Sequence, residues 1–488
     1  MKKLLLIFLL IHTSFLCEGQ SWQWVQTYDY GNEDRPRSFG RDEIGNLYML
    51  CNEYYDHGAS AHNYMYLGKY DPYGVEVWRD TVPAYLKSAV TDKDGNTYCN
   101  GGQVVVKYDS NGNLQWTSAP LMAPITPSIC YSSVNDQVLA CAFGYVSGLI
   151  TSSIASYKPD GTVNWYLVRD SSAAKFCAAD PTGNFFVISS IFKDTLTGNK
   201  CDLTKYDDAG NLLFCKVIPH IPDDMVCDKD GNIYIAGSIK SVDPTNIDGT
   251  LYSMPPFGSS NPNTFLLKYD AGGNLLWYKL MRNARCPLAT DKNGFLYLVA
   301  GGKSVEIDSL SVIETNAFQL VVKLDGNGNI IWSTHTSTNA ATGTISQICV
   351  LTDSSDNIYL AGGIRKQHYF GSLPANGESS YDDNYIAKLS QAAPTVGLTE
   401  PLFISTDLKV SPNPSQGAVT VSYAPSGFIK ELNLWLRNAE GKQLYFEKFN
   451  NIGQPLQRSI DLSTWPSGVY LVELEADGLK MVKKVVVN

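Results

Sequence analysis

Basic residues are in the minority. Lysine and arginine total 38 against 48 aspartates and glutamates, leaving a formal net charge of −10. Non-specific binding to nucleic acid or to an anionic membrane needs a basic footprint, so neither is expected as a partner. Charge of either sign is scarce, 18% of the 488 residues, whereas apolar residues reach 44%. A large core can therefore form, and disorder is not expected. No window shows a sustained 3.6-residue period, which excludes a helical architecture. No stretch beyond the leader approaches the ~20 apolar residues of a membrane span, so no transmembrane segment is expected. Metal-ligand spacing is also missing: no two cysteines form Cys-x-x-Cys, and no histidines form His-x-His or His-Glu-x-x-His. No metal or cofactor is expected.

The N-terminus carries an address. Lys2 and Lys3 precede an unbroken apolar run over residues 4–11, and a small-residue cleavage point follows at Gly19. Residues 1–19 read as a signal peptide. Cys17 does not fit a lipidation site, because Leu16 and Ser14 stand where a small and an aliphatic residue are required. The other cysteines, Cys51, Cys99, Cys130, Cys141, Cys177, Cys201, Cys215, Cys227, Cys286 and Cys349, include several inside apolar runs. They read as buried free thiols acting as small hydrophobes, with one or two bridges as the alternative in an oxidising compartment.

Two short patterns alternate along residues 20–390. The first, Asp-x-x-Gly-Asn-x-Tyr, occurs at 42–48, 92–98, 180–186, 228–234, 291–297 and 353–359, with a worn copy at 134–138. The second, Lys-Tyr-Asp-x-x-Gly-Asn-x-x-Trp, starts at Lys69, Lys107, Tyr157, Lys205, Lys268 and Lys323. Each reads as a β-hairpin: aspartate bonds the turn backbone, and Gly and Asn tolerate the positive φ of a tight reversal. Two hairpins give four strands, and four strands recurring every ~40–60 residues are the signature of a propeller blade. The expected fold is all-β, a seven-bladed β-propeller, with six or eight blades as alternatives, followed by a small Ig-like β-sandwich.

The ends of the array suggest closure. The unit ending at 385–390 lacks its Gly-Asn-x-x-Trp strand, and residues 21–27 resemble that missing strand. Within a blade, strands a to d run outward: a precedes the first pattern, b follows it, c ends in Lys-Tyr-Asp and d carries the tryptophan. The short turns then emerge on one face. Long b–c loops, expected at 52–66, 236–264, 301–318 and 362–382, emerge on the other. Trp78, Trp116, Trp165, Trp277 and Trp332 recur at one position and read as packing between blades. Aromatics on or near the long loops, Tyr54, Tyr55, Tyr252, Phe257, Tyr369, Phe370 and Tyr381, are the candidate ligand-binding residues, able to stack on sugars or anchor a protein, with packing of the loops onto the blades as the alternative. The repeats resemble those of SBBP-like bacterial surface propellers and, more distantly, the quinoprotein Trp-docking repeat.

A polar linker, 391–402, leads to a segment, 403–488, in which the repeat vocabulary stops and short alternating strands continue. About seven strands are expected, Ig-like in size and rhythm. Its opening Pro412-Asn413-Pro414 with Gly417, its Gly468-Val469-Tyr470 strand and its terminal Lys483-Lys484 resemble the type A C-terminal sorting domain of the type IX secretion system. That resemblance implies outer-membrane passage by the secretion machinery, removal of the domain by a sortase, and a secreted or surface-attached product.

No catalytic residues are expected. His57, His62, His220, His335 and His368 are scattered. In Gly144-Tyr145-Val146-Ser147-Gly148 the serine sits one place late for a nucleophile elbow. The Asp-Lys-Asp-Gly-Asn runs at 92–96 and 228–232 lack the distal acidic ligand of a calcium loop and read as turns. The expected function is a non-catalytic binding module for a surface glycan or protein ligand. A lyase or glycosidase at the channel mouth, or a structural surface component, are the alternatives.

Overall fold

The computed structural model describes residues 20–30, 33–56, 61–191, 200–218, 221–239, 245–247, 250–252, 263–282, 287–308, 310–338, 343–377, 381–391, 408–423, 429–438, 442–452, 456–476 and 479–487. The leader and Cys17 lie outside them. The chain divides into two compact units, Met1–Ala393 and Pro394–Asn488. Every regular element among the described residues is a strand.

The first unit is a succession of four-stranded antiparallel sheets. In the first, Glu33–Arg41, Leu47–Asp56, Ala61–Tyr70 and Glu76–Val82 lie side by side in chain order. The same order repeats in the sheets whose inner strands are Leu86–Thr91, Ile125–Ser132, Ser172–Ala179 and Ile221–Cys227. It repeats again in the sheet that starts at Leu288–Thr290. In the last, Thr344–Thr352, Ile358–Arg365 and Asp383–Ser390 are completed on the outer edge by Ser21–Tyr28, with Val25 opposite Ala387 and Thr27 opposite Tyr385. The chain's first described strand thus fills the gap in its last sheet and removes an exposed edge.

The inner strands close a ring. Glu33–Arg41 touches Leu86–Thr91, and contact passes in turn to Ile125–Ser132, Ser172–Ala179, Ile221–Cys227, Leu288–Thr290 and Thr344–Thr352, which returns to Glu33–Arg41. Sheets arranged radially about such a closed ring are a β-propeller. The core lies between neighbouring sheets: Leu47, Met49, Cys51 and Tyr70 of the first meet Tyr359, Ala361, Ile386 and Trp24 of the last. Burial of such faces, at about 25 cal/mol per Å² of apolar surface, drives the stacking.

The b–c connections differ from the long loops expected. Much of 301–318 is strand: Leu296–Ile307 and Leu310–Leu324 form one long hairpin. Its tip pairs Ile307 with Met281 and Glu306 with Arg282, extending the preceding blade's outer edge. The 362–382 segment holds a small hairpin, Gln367–Phe370 with Leu373–Asn376. Within 236–264, Thr245–Ile247 pairs with Thr250–Tyr252. In the 52–66 segment the flanking strands run on through Asp56 and from Ala61. Runs of β-branched and aromatic residues favour strand over open loop, and a hairpin satisfies the backbone that a loop would leave to water.

Cys51, Cys99, Cys130, Cys141, Cys177, Cys201, Cys215, Cys227 and Cys349 are all free thiols. Cys286 lies outside the described residues.

In the second unit, Leu408–Ser411, Ala418–Tyr423 and Leu456–Asp461 form one sheet. Gln443–Ile452, Ile429–Asn438, Gly468–Ala476 and Leu479–Val487 form the other. Val419, Val421 and Ile460 of the first meet Leu432, Leu434, Val472 and Val485 of the second in a shared core.

Candidate functional site

The repeated residues build a latch from each blade to the next. In the a–b turns, aspartate is the hub: Asp92 Oδ1 accepts from the backbone N–H groups of Asp94 and Asn96, and Oδ2 accepts from the Asn96 amide at 2.8 Å. Tyr297 donates its hydroxyl to Asp291 at 2.8 Å in the same way. Over the ring of that tyrosine or its phenylalanine equivalent lies the lysine of the second pattern. Lys107 sits 5.0 Å from the Tyr98 centroid and Lys205 4.7 Å from that of Phe186. The ammonium reaches on to the aspartate hub, as in Lys205–Asp180 at 2.9 Å. It also reaches a backbone carbonyl in the next blade: Lys107 donates to Pro159 O at 3.2 Å, Lys205 to Ala271 O at 2.9 Å and Lys268 to Gly326 O at 3.0 Å.

The tryptophan completes the latch. Trp116 Nε1 donates to Pro159 O at 2.9 Å, and Trp277 Nε1 to Gly326 O at 3.0 Å. Lysine and tryptophan thus converge on one acceptor across the blade boundary. The next turn's glycine lies on the indole: at Gly161, φ is +88° and a Cβ would come 2.8 Å from Trp116 Cδ2. Gly210 stands in the same relation to Trp165, at 2.7 Å. Only glycine fits, for backbone and for space. The reading of these tryptophans as inter-blade packing agrees with this geometry.

The inner strands end, on the turn face, around a cavity of about 330 Å³ lined by residues of four blades, including Tyr131, Asp180, Asp228, Lys229, Asp291 and Lys292. Its carboxylates are committed. Burial pushes the Asp180 carboxyl up, but hydrogen bonds from Lys205, Thr182 and Asn184 outweigh it and hold the group below the usual carboxylate range. Asp228 accepts from the backbone and side chain of Asn232, and Asp291 from the backbone of Asn293 and Phe295. The two Asp-Lys-Asp-Gly-Asn runs are turns of this kind.

Among the candidate aromatics, the structure separates rather than gathers. Phe370 is fully buried, its ring 4.9 Å from Trp22 and 5.2 Å from Tyr385, so the expectation of an exposed ring there is corrected to packing. The hairpin's alternation turns 370 inward. Tyr369 is half-buried and donates its hydroxyl to Gln367 at 2.8 Å. Tyr381 is 39% exposed. Tyr54, Tyr55 and Tyr252 lie in strands, and Phe257 lies outside the described residues. Exposed apolar groups on the b–c ends that sequence reasoning passed over are Tyr145, Leu149 and Ile313, at 76%, 56% and 70% exposure. Tyr145 and Leu149 flank the tight Val146–Leu149 reversal, where Gly148 has φ +84°. That Gly-Tyr-Val-Ser-Gly run was the available signal, since it marks a two-residue hairpin.

In the second unit the terminal motifs meet. Asn413 Nδ2 donates to Lys484 O at 2.7 Å, and Asn413 Oδ1 accepts from Val486 N at 2.9 Å. Both peptide bonds preceding Pro412 and Pro414 are cis. Ser415 N donates to Val486 O, and Leu462 N to Gly417 O. Tyr470 donates its hydroxyl to Pro466 O at 2.7 Å and packs against Trp465, while Gly468 and Val469 open the same strand. Lys483 is half-buried and Lys484 exposed.

Residues 409–488 match the family described as the secretion system C-terminal sorting domain. This type IX sorting domain directs the chain, by that secretion machinery, to the cell surface or beyond. No curated protein matches the chain. Among solved structures it is similar to the Pan2 WD40 domain of Neurospora crassa, at 11% identity and TM-score 0.43, over 78% of this chain and 96% of that one. It is similar also to the Dos1 propeller, at 8% identity and TM-score 0.43, over 76% and 95%. A third likeness, 13% identical with TM-score 0.31 over 54% and 81%, is a protein of unknown function from Bacteroides caccae. The propeller assignment rests on the closed strand cycle, not on these likenesses. Among the described residues, no helix is long and apolar enough to cross a membrane.

Proposed function

We propose that the exported chain is a seven-bladed propeller, akin to the SBBP-like repeat proteins, that serves outside the cell as a non-catalytic binding module for a glycan or protein. The observation that carries this reading is the division of labour between the two ends of the blades. The repeated aspartates, lysines and tryptophans of the turn face are consumed in latches and satisfied turns, with Ile44, Tyr73 and Val134 left exposed between them, whereas the b–c ends carry the irregular hairpins together with the exposed Tyr145, Leu149, Ile313 and Tyr381. An exposed aromatic on a rigid strand end loses little entropy when a sugar or a protein covers it.

The C-terminal sandwich is proposed to be Ig-like and to be removed by a sortase once export is complete. The cavity's carboxylates, tied to lysine, asparagine and backbone, support binding over a lyase or glycosidase reading. The test is a glycan array together with a pulldown from extracellular material, using the folded propeller and its Tyr145→Ala and Ile313→Ser variants. Binding that the variants weaken is the expected result. Blank results in both formats would overturn the reading.

A further inference from the structure

We infer that the seam between the first and last blades holds a hard divalent cation of the calcium class, bound by Asp29, Asp34 and Asp383 with Glu53 beside them. Carboxylate oxygens of Asp29, Asp34 and Asp383 lie within 4.8 Å of one another. The three come from different parts of the ring. Asp29 follows the strand Ser21–Tyr28 that completes the last blade, Asp34 lies in the inner strand of the first, and Asp383 opens a strand of the last.

A second, independent observation points to a ligand. Asp34 is fully buried, and although its Oδ2 accepts from Tyr30 N at 2.7 Å, its Oδ1 has no partner. Glu53, 2% exposed, sits directly opposite Asp34 in the antiparallel register, and its Oε1 has no partner either. Residues opposed in this way share a face with their Cβ atoms about 5 Å apart, which brings the Glu53 carboxylate alongside the cluster. The negative charges of Glu53, Asp383 and Asp29 all raise the Asp34 carboxyl. Burial, ahead of these charges, pushes the Asp34 carboxyl up to about 7. Ionised carboxylates without a hydrogen-bond donor or a cation are costly to bury. Backbone holds the site in shape, since Asp34 N donates to Asp382 O at 2.8 Å.

The donors are all oxygen, which suits Ca²⁺ or Mg²⁺ and not a soft metal. A cation here would tie the two ends of the ring, so binding would appear as stability. The experiment is calorimetric titration and thermal melting of the purified full chain with CaCl₂, MgCl₂ or ZnCl₂ after chelation. The expected result is one site for Ca²⁺ or Mg²⁺ and a melting temperature raised by several degrees. Asp34→Asn should weaken binding on the order of tenfold or more. Asp29→Asn, at an exposed position, should do the same, which keeps the test open if the buried variant fails to fold. Identical melting with chelator and with Ca²⁺ or Mg²⁺, binding of Zn²⁺ alone, or full binding by the Asp29→Asn protein would each overturn the inference. The first of these, with a melting temperature that rises as pH falls below 7, would mean that the carboxyls share protons instead.

Discussion

Lys323 Nζ donates to Gln391 Oε1 at 2.5 Å, where the equivalent lysine of the preceding blade, Lys268, donates to a backbone carbonyl, Gly326 O, at 3.0 Å. The last blade has no c–d turn to supply that carbonyl, because the chain leaves at Ser390 and its partner strand arrives from the N-terminus. A side-chain amide takes the carbonyl's place. Gln391 also donates to Asp356 O and to the Tyr297 hydroxyl, so it carries the whole latch.

Gln391→Ala should therefore destabilise the propeller. Lys323 is 7% exposed and would lose that acceptor, though it keeps Asp291 at 3.7 Å and the rings of Phe295 and Tyr297. Leaving a buried donor short costs about 1–3 kcal/mol. A urea-unfolding midpoint unchanged from the parent would refute the substitution of amide for turn.

Gly210→Ala tests the contact between turn and indole. With φ at +87° and the added carbon 2.7 Å from Trp165 Cδ2, both strain and overlap arise. A loss of about 2–4 kcal/mol is expected. In a Trp165→Ala background the overlap disappears and only strain remains. The double-mutant cycle should then give a coupling of about 1–2 kcal/mol. Strict additivity would show that indole and turn do not act on each other.

Stability should fall in mild acid through His368, which is fully buried. Burial lowers its pKa from 6.5 to about 4, against the opposing effect of backbone bonds at Arg365 and Thr344. The folded state therefore resists protonation. The stabilisation is complete above pH 6.5, where the unfolded imidazole is neutral, and is lost as pH falls towards about 4. The loss from this group should be about 1–3 kcal/mol, read as the difference between parent and His368→Leu unfolding midpoints from pH 7.5 to 4.5, because the raised carboxyls of Asp34 and Asp224 act in the opposite sense over that range. His368→Leu should flatten that slope; an equally steep slope would place the acid sensitivity elsewhere. The turn carboxylates Asp180 and Asp353 act in the same direction but at lower pH, below the ordinary aspartate value.

Deleting residues 400–488 should leave the propeller in the periplasm, detected by cell fractionation, because the sorting domain matched over 409–488 is gone. Asn413→Ala removes two bonds to the terminal strand, at 2.7 and 2.9 Å. Being exposed, they should be worth about 1 kcal/mol in the domain's stability. Normal export of the deleted chain would refute the role assigned to that segment.

Much of this was readable from residue order. The aspartate, glycine and asparagine of each turn act within six residues of one another, so their spacing alone carries the hairpins, and the orphan strand at 21–27 carries the closure. The lysine and tryptophan repeats were legible as elements of packing, but not as two donors to one carbonyl a blade away, since Trp116 and Pro159 are 43 residues apart. The b–c connections misled for a different reason. A hairpin such as Leu296–Ile307 with Leu310–Leu324 bonds mainly to itself, and nothing in the repeat marks where it stops. Phe370 shows the limit for single residues, because one step along a strand decides between core and solvent. The carboxylate seam was invisible: Asp29 and Asp383 come together only when the ring closes.

The strand Ser21–Tyr28 finds its place only against Asp383–Ser390. Whatever is translated or translocated first must therefore wait, unmatched, for almost the whole propeller to follow. An early-emerging hydrogen-bonding edge with a late partner invites pairing with other chains during that interval. Assembly should be slow and vulnerable to crowding, and a permuted chain with residues 20–30 moved after Gln391 should refold faster at equal final stability.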